Sequence, residues 1–305
     1  MKRIRWTLWL KAVFTAAAVA LLVKMLLVTS CIIPSSGMEN SLYQGEGILV
    51  NKWSYGLRVP FPSLWGYHRL GKKPVEKGDI FLFNNPDPRR ESEWMERREL
   101  FISRCTGVAG DTLMLNRELT EIGGEVLSPD SKELYAYPSA AEDLVWEALQ
   151  SIGIAEENKL VSYLSDGSYI RSFSHYEYYL MVQKLGGKVV LTPLTSKQPQ
   201  EVYPFVVPRK GMPVKVYPWN VALLCNTIRA HEHRQAEVCR DTLWVEGVPV
   251  SEYAFTKDYY WVSSNDPVNL CDSRLFGFVP EDYIIGKACL IWFTSRKGRF
   301  LQRVQ

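Results

Sequence analysis

From Ala12 to Ile33 nearly every position is apolar, interrupted only by Thr15, Lys24, Thr29 and Ser30. A helix of that length crosses a hydrocarbon core of roughly 30 Å, so the pattern predicts one transmembrane helix over residues 12–33. Lys24 is the flaw in the span, since a centred lysine costs about 2.5–3.5 kcal/mol on insertion scales. Lys2, Arg3, Arg5 and Lys11 precede the span and no acidic residue does. The positive-inside rule therefore puts residues 1–11 in the cytoplasm and everything after about residue 34 outside. Val28-Thr29-Ser30-Cys31 also fits a cleaved lipoprotein signal, with small residues before a cysteine, but Lys24 within the apolar core argues against it.

Beyond the span the apolar runs become short. Gly47-Ile48-Leu49-Val50, Asp79 to Phe83, Thr112 to Leu115 and Leu243-Trp244-Val245 are β-branched or aromatic and bounded by turn formers. They predict a mainly β, mostly antiparallel architecture. Two segments have helical spacing instead, and each opens on a capping box: Ser139-Ala-Ala-Glu142 before Leu144, Val145, Ala148, Leu149 and Ile152, and Ser174-His-Tyr-Glu177 before Met181, Val182 and Leu185. Gly153 and Gly186 stand where helix ends favour glycine. Trp244-Val-Glu-Gly-Val-Pro249 reads as a hairpin.

With 47% hydrophobic and 23% charged residues, the chain of 305 is globular in composition. Five of its 36 basic residues lie in or before the span, leaving 31 outside against 33 acidic ones, a balance that does not suggest a nucleic-acid partner. The six cysteines, Cys31, Cys105, Cys225, Cys239, Cys271 and Cys289, lack paired spacing. Buried free thiols or a Cys225 to Cys239 bridge both fit.

Several separated segments carry a family likeness. Ile33-Pro34-Ser35-Ser36-Gly37-Met38-Glu39-Asn40-Ser41-Leu42 is followed by Gly45 to Gly56, then Lys77-Gly78-Asp79-Ile80 and Pro86, then Ser103-Arg104-Cys105-Thr106-Gly107-Val108-Ala109-Gly110-Asp111. Asp272-Ser273-Arg274-Leu275-Phe276-Gly277-Phe278-Val279-Pro280 and Gly286-Lys287-Ala288 complete the set. In this order they resemble the boxes of type I signal peptidases, membrane serine proteases that use a Ser/Lys dyad. The resemblance implies a β core over 34–112 and 256–305, an inserted α+β subdomain over 113–255, signal peptides of exported proteins as partners, the lipid bilayer as surroundings, and no cofactor or metal. It also implies a single-pass protein of the cell (inner) membrane with its main domain on the outer or periplasmic side.

A family serine attacks the scissile carbonyl while a lysine, its pKa lowered by burial, takes the proton. The nucleophile's backbone N–H and a hydroxyl two residues earlier hold the oxyanion. In this sequence Ser35 matches that hydroxyl, yet Gly37 occupies the nucleophile position and Ser103 the base position. The family's Gly-Asp-Asn-Arg run reads Ser264-Asn265-Asp266-Pro267, and the serine that orients the lysine is Leu270, whereas Arg104, Asp272, Ser273 and Arg274 persist as the frame that braces the site. Ser36 is the alternative nucleophile. If the segment is extended, though, it faces away from position 37, and Arg97, Arg98 and Arg104 near Ser103 do not deprotonate.

The implied protein is thus a catalytically impaired relative that binds signal peptides by strand addition and acts on an active paralogue. Beside it stand an active peptidase using relocated groups and a non-enzymatic interaction or structural β-domain at the membrane. Three other features have bland readings. His231-Glu232-His233 is a polar strand surface before it is a metal site; Trp53, Tyr55, Phe61, Trp65 and Tyr67 divide between core packing and the membrane interface; and Arg89-Arg90 and Arg97-Arg98, flanking Glu91, Glu93 and Glu96, form a solvated mixed-charge face.

Overall fold

The computed structural model describes residues 6–87, 94–122, 131–194 and 201–304. Lys2, Arg3, Arg5, Arg89, Arg90, Glu91 and Glu93 lie outside the described residues. Helix α1 spans Trp6–Leu26, and its Trp9–Leu26 stretch is apolar enough to cross a membrane. The apolar run then changes structure: after Leu27, strand β1 covers Val28–Ile32 and pairs antiparallel with β2, Gly47–Asn51, from Val28↔Asn51 to Ile32↔Gly47. The expected span of 12–33 is therefore corrected to a helix that starts earlier and stops at Leu26. β-branched Val28, Thr29 and Ile32 favour the strand once a partner is available. Lys24 falls in the last helical turn rather than mid-span, where a cation suits the dipole and a long stem reaches the interface.

Strands β3, Ile80–Asn84, and β4, Leu100–Gly107, pair antiparallel, with Phe81 opposite Ser103 and Ile80 opposite Arg104. The middle of the chain then builds sheets of its own. β5, Lys132–Pro138, pairs with β6, Ser168–Ser174, and helices α2, Glu142–Ile152, and α3, His175–Leu185, bury Val145, Leu149, Met181 and Leu185 against Tyr135, Tyr137 and Phe173. Only the second capping box forms. Ser174 Oγ accepts from Glu177 N while Glu177 returns to Ser174 N. Ser139–Ala141 is instead a 3₁₀ turn, α2 starts at Glu142, and the Glu142 carboxylate accepts from Tyr137 OH and pairs with Arg171. Gly153 and Gly186 close both helices in the left-handed region.

Helix α4, Val221–His231, follows, then β7, Thr242–Val245, and β8, Val248–Val250, joined through Glu246 and Gly247 at positive φ. The expected strand at 231–233 is corrected: His231 ends α4, buried, and His233 turns the chain at φ 54°. The missed helix has no capping side-chain bond at Asn220 to advertise its start. Cys225 is buried on α4, Cys239 is exposed, and both are free thiols.

The chain returns to the main sheet with β9, Tyr259–Ser263, the one-turn helix α5, Ser273–Phe276, β10, Val279–Pro280, and β11, Ile284–Phe293. The seven-stranded order is β1-β2-β11-β3-β4-β9-β10, so β1 is an edge. One core lies under Ile33, Met38, Leu42, Ile80, Leu82 and Ile291, with Ile102 packed against it, and a second around Phe81, Phe83, Cys105 and Val262. Trp53, Phe61 and Trp65 are exposed, whereas Tyr55 is buried with its hydroxyl on Asp79. Arg98 is buried as well and donates to Tyr283 OH and Asn85 O, so the expected solvated face does not include it.

Candidate functional site

Residues 35–41 leave the strand for a bend and a turn, which removes the premise that Ser36 and Gly37 lie in extended chain. The turn is held from the third box. Gly37 O accepts from Asn265 N (2.9 Å) and Asp266 N (3.1 Å), and Asn265 Nδ2 donates to Glu39 O and to Ser41 Oγ (both 2.9 Å). Met38 and Leu42 anchor it from below, buried in the core under β3. A Cβ placed on Gly37 would stand 3.0 Å from Asn269 O, 3.7 Å from Ser35 Oγ and 3.9 Å from Ser264 Oγ. The missing side chain would therefore press on the Asn269 carbonyl, with the two hydroxyls at ordinary contact distance beyond it.

Ser103, fully buried on β4, donates its hydroxyl to Cys271 O at 2.7 Å. Cys271 N in turn donates to Ser264 Oγ (3.2 Å), so one residue links the base position to the second-nearest hydroxyl to a side chain at position 37. Asp272 is fully buried: it receives Ser264 N at 2.8 Å, caps α5 through Arg274 N, and pairs with Arg274 Nη2 at 2.5 Å. Ser273 Oγ accepts from Val262 N, pinning α5 to β9. Arg104 joins β4 to the turn through Gly78 O and Ser41 Oγ. Ser35 Oγ, beside the Gly37 position, has no partner among the described residues.

Ser36 does not face empty space. Its hydroxyl donates to Asp266 Oδ2 (3.1 Å) and accepts from Asn269 Nδ2 (3.3 Å). Lys132 is the group that sequence reasoning missed. It opens β5, its amide donates to Asn265 O, and its ammonium meets Glu39 Oε2 at 2.8 Å with the side chain 3% exposed. Burial alone would lower its pKa, but Glu177, Glu39 and Asp266 outweigh that and hold the ammonium above the ordinary lysine range. It is a fixed cation, unfit as a proton acceptor. No local pattern marks Lys132; its contact with Glu39 crosses 93 positions of sequence. Burial, then Glu99 and Asp272, raises the Cys271 thiol, which stays protonated.

A family model described as signal peptidase, peptidase S26, matches residues 6–181, more than half of the chain. The chain belongs to this signal peptidase family. Its relatives include a signal peptidase I of Buchnera aphidicola subsp. Schizaphis graminum, 22% identical over 267 residues covering 87% of this chain and 68% of the relative. A signal peptidase I of Haemophilus influenzae is 23% identical over 291 residues, 95% of this chain and 70% of its own. One from Pseudomonas fluorescens reaches 31% over 142 residues, 41% of this chain and 44% of that protein. Family membership ties this signal peptidase homologue to signal-peptide processing, and α1 is its candidate membrane span. No group of three or more potential metal ligands occurs among the described residues.

Proposed function

We propose that the chain is a single-pass protein of the cell membrane that binds signal peptides of exported preproteins without cleaving them at a useful rate. Residues 1–11 lie in the cytoplasm in this reading, and the β domain lies on the outer or periplasmic side. The carrying observation is the pair Gly37 and Ser103: the first has no side-chain atom, and the second donates its hydroxyl hydrogen bond to Cys271 O. A side chain at position 37 would meet the Asn269 carbonyl and the Ser35 and Ser264 hydroxyls, Ser103 bonds the Cys271 carbonyl, and no amine or imidazole bonds either position among the described residues. Loss of a nucleophile or base in a comparable serine protease lowers turnover on the order of 10⁶-fold.

Binding has support of its own. β1 is an open sheet edge that leads straight into the turn at Gly37, the geometry that strand addition uses. The retained Arg104, Asp272, Ser273 and Arg274 bonds keep that turn in place. A bound signal peptide would be withheld from, or delivered to, an active paralogue.

The test compares the purified full chain with a Gly37→Ser/Ser103→Lys variant that also carries Ser264→Gly, because the Ser264 hydroxyl stands beside the added side chain. A preprotein should crosslink to both proteins and be cleaved only by the variant. Cleavage by the unmodified chain at a protease-like rate overturns the proposal, and its loss in Ser36→Ala would assign the chemistry to Ser36. Absence of crosslinking in both would favour the non-enzymatic structural reading.

A further inference from the structure

A cavity of about 260 Å³ opens where α1 ends, lined by Met25, Thr29, Lys52, Arg58, Phe61 and Leu100 among others. Its charge is lopsided. Lys52 Nζ donates to Lys24 O and Met25 O, both at 3.1 Å, closing the C-terminus of α1 and leaving one of three ammonium hydrogens unused. Among the described residues Arg58 reaches Asn84 Oδ1 (3.4 Å) and Met95 Sδ (2.8 Å), and its Nε, shut away from solvent, has no acceptor there. Among the described residues Arg58 has no ion-pair partner. Arg69 stands close enough to repel it and likewise has an unpaired buried Nε.

Glu96 is the one acid in the lining, and its Oε1 is engaged by Ser63 N at 2.9 Å. Burial, then Arg69, pulls the Arg58 guanidinium down to about 10; burial, then Arg58 and Lys24, pulls Lys52 below the ordinary lysine range. Burial dominates both shifts, neighbouring cations add to it, and at Arg58 the more distant Asp282 and Glu96 offset it only in part. The rest of the lining is different in kind: Met25, Leu82, Leu100 and Ile285 are apolar and Phe61 is exposed, while the exposed Trp65 and Trp94 lie a few positions in sequence from the lining residues Pro62 and Glu96. Apolar and aromatic groups beside a basic pocket at the end of an apolar helix suit the headgroup layer of a bilayer, where one side is oily and the other wet.

We propose that this cavity binds the phosphodiester headgroup of an anionic phospholipid in the leaflet where α1 ends, with Arg58 as its main donor and Lys52 as the second. A guanidinium presents paired N–H groups to phosphate oxygens, which a weakly donating amide cannot replace. A lipid is favoured over free phosphate because the pocket adjoins the last turn of α1 and has apolar and aromatic groups in its lining. The proposal rests on α1 as a membrane span, and the two fail differently: total bound lipid reports the helix, whereas headgroup preference reports the cavity.

The full chain, purified from micelles holding equal phosphatidylglycerol and phosphatidylcholine, is analysed by native mass spectrometry for retained lipid. Phosphatidylglycerol should be enriched. Arg58→Gln should lower that enrichment about fivefold, the effect of one surface cation on anionic lipid. Arg58→Lys, which keeps the charge without the paired N–H groups, should fall between the unmodified chain and Arg58→Gln, and Lys215→Gln, an exposed lysine in the middle of the chain, should leave it unchanged. Equal retention of the two lipids, or an Arg58→Gln protein indistinguishable from the unmodified chain, overturns the proposal. Displacement of phosphatidylglycerol by millimolar inorganic phosphate would make the cavity a free-phosphate site and overturn the lipid assignment.

Discussion

Replacing Lys132 by methionine keeps the stem and removes the charge. The Lys132 and Glu39 side chains are 3% and 15% exposed, and their bond joins the middle of the chain to the turn carrying Gly37. Removing one partner of a buried pair costs about 3–5 kcal/mol, and the partial solvent contact of Glu39 puts this case near 3 kcal/mol. Global melting is a poor readout for a membrane chain with several cores. Amide exchange at Lys132 and Asn265 is better, because both amides donate within this junction. A local loss of 3 kcal/mol should speed their exchange about 150-fold. Lys132→Met combined with Glu39→Gln removes both charges and should recover most of the loss. The sign with pH follows from the raised pKa of Lys132: the contribution is complete below the unfolded lysine value of about 10.4 and fades only as pH rises through the higher folded value. Protection should therefore be flat from pH 6 to 9. An acceleration below threefold, or a double variant as fast as the two single effects multiplied, would refute the reasoning.

Two further outcomes are open to direct measurement. Burial, reinforced by Lys257, Arg98 and His233, lowers His231 to about 3, so the folded chain keeps it neutral while the unfolded chain protonates it below about 6.5. Local stability should fall as pH drops through that window, by about 1.4 kcal/mol at pH 5.5, and amide exchange of α4 in His231→Asn should lack that slope. Ser174→Ala should destabilise its helix by about 1 kcal/mol, whereas Ser139→Ala should change stability by only a few tenths, which amide exchange within the two helices of the paired variants would resolve.

Strands and the second capping box were legible because their signals are local: Gly47 to Asn51 and Ile80 to Asn84 are β-branched or aromatic runs between turn formers. The end of the membrane helix was not. Hydropathy treats Val28 to Ile32 as more of the same apolar run, and only pairing with β2 makes it a strand. The Ser139 box failed for a related reason, since Tyr137 and Arg171 claim the Glu142 carboxylate. At the candidate site, Gly37, Ser103, Asp272 and Arg274 could be named from ordered boxes. The roles of Ser264, Asn265 and Lys132 depend on neighbours far away in sequence, and no spacing rule reaches that far.

Only Leu27 separates α1 from β1, and Lys52 clamps the last helical carbonyls to the sheet. The connection consequently leaves the domain one residue of loose chain with which to rise or sink against its anchor. β1 advances about 16 Å over its five residues before the chain turns toward Gly37. An extended peptide lying beside it would use about five residues between the end of the oily layer and that turn. In the proposed peptide-binding role the junction would act as a ruler, setting a position on an emerging chain by its distance from the membrane whether or not a bond is broken there.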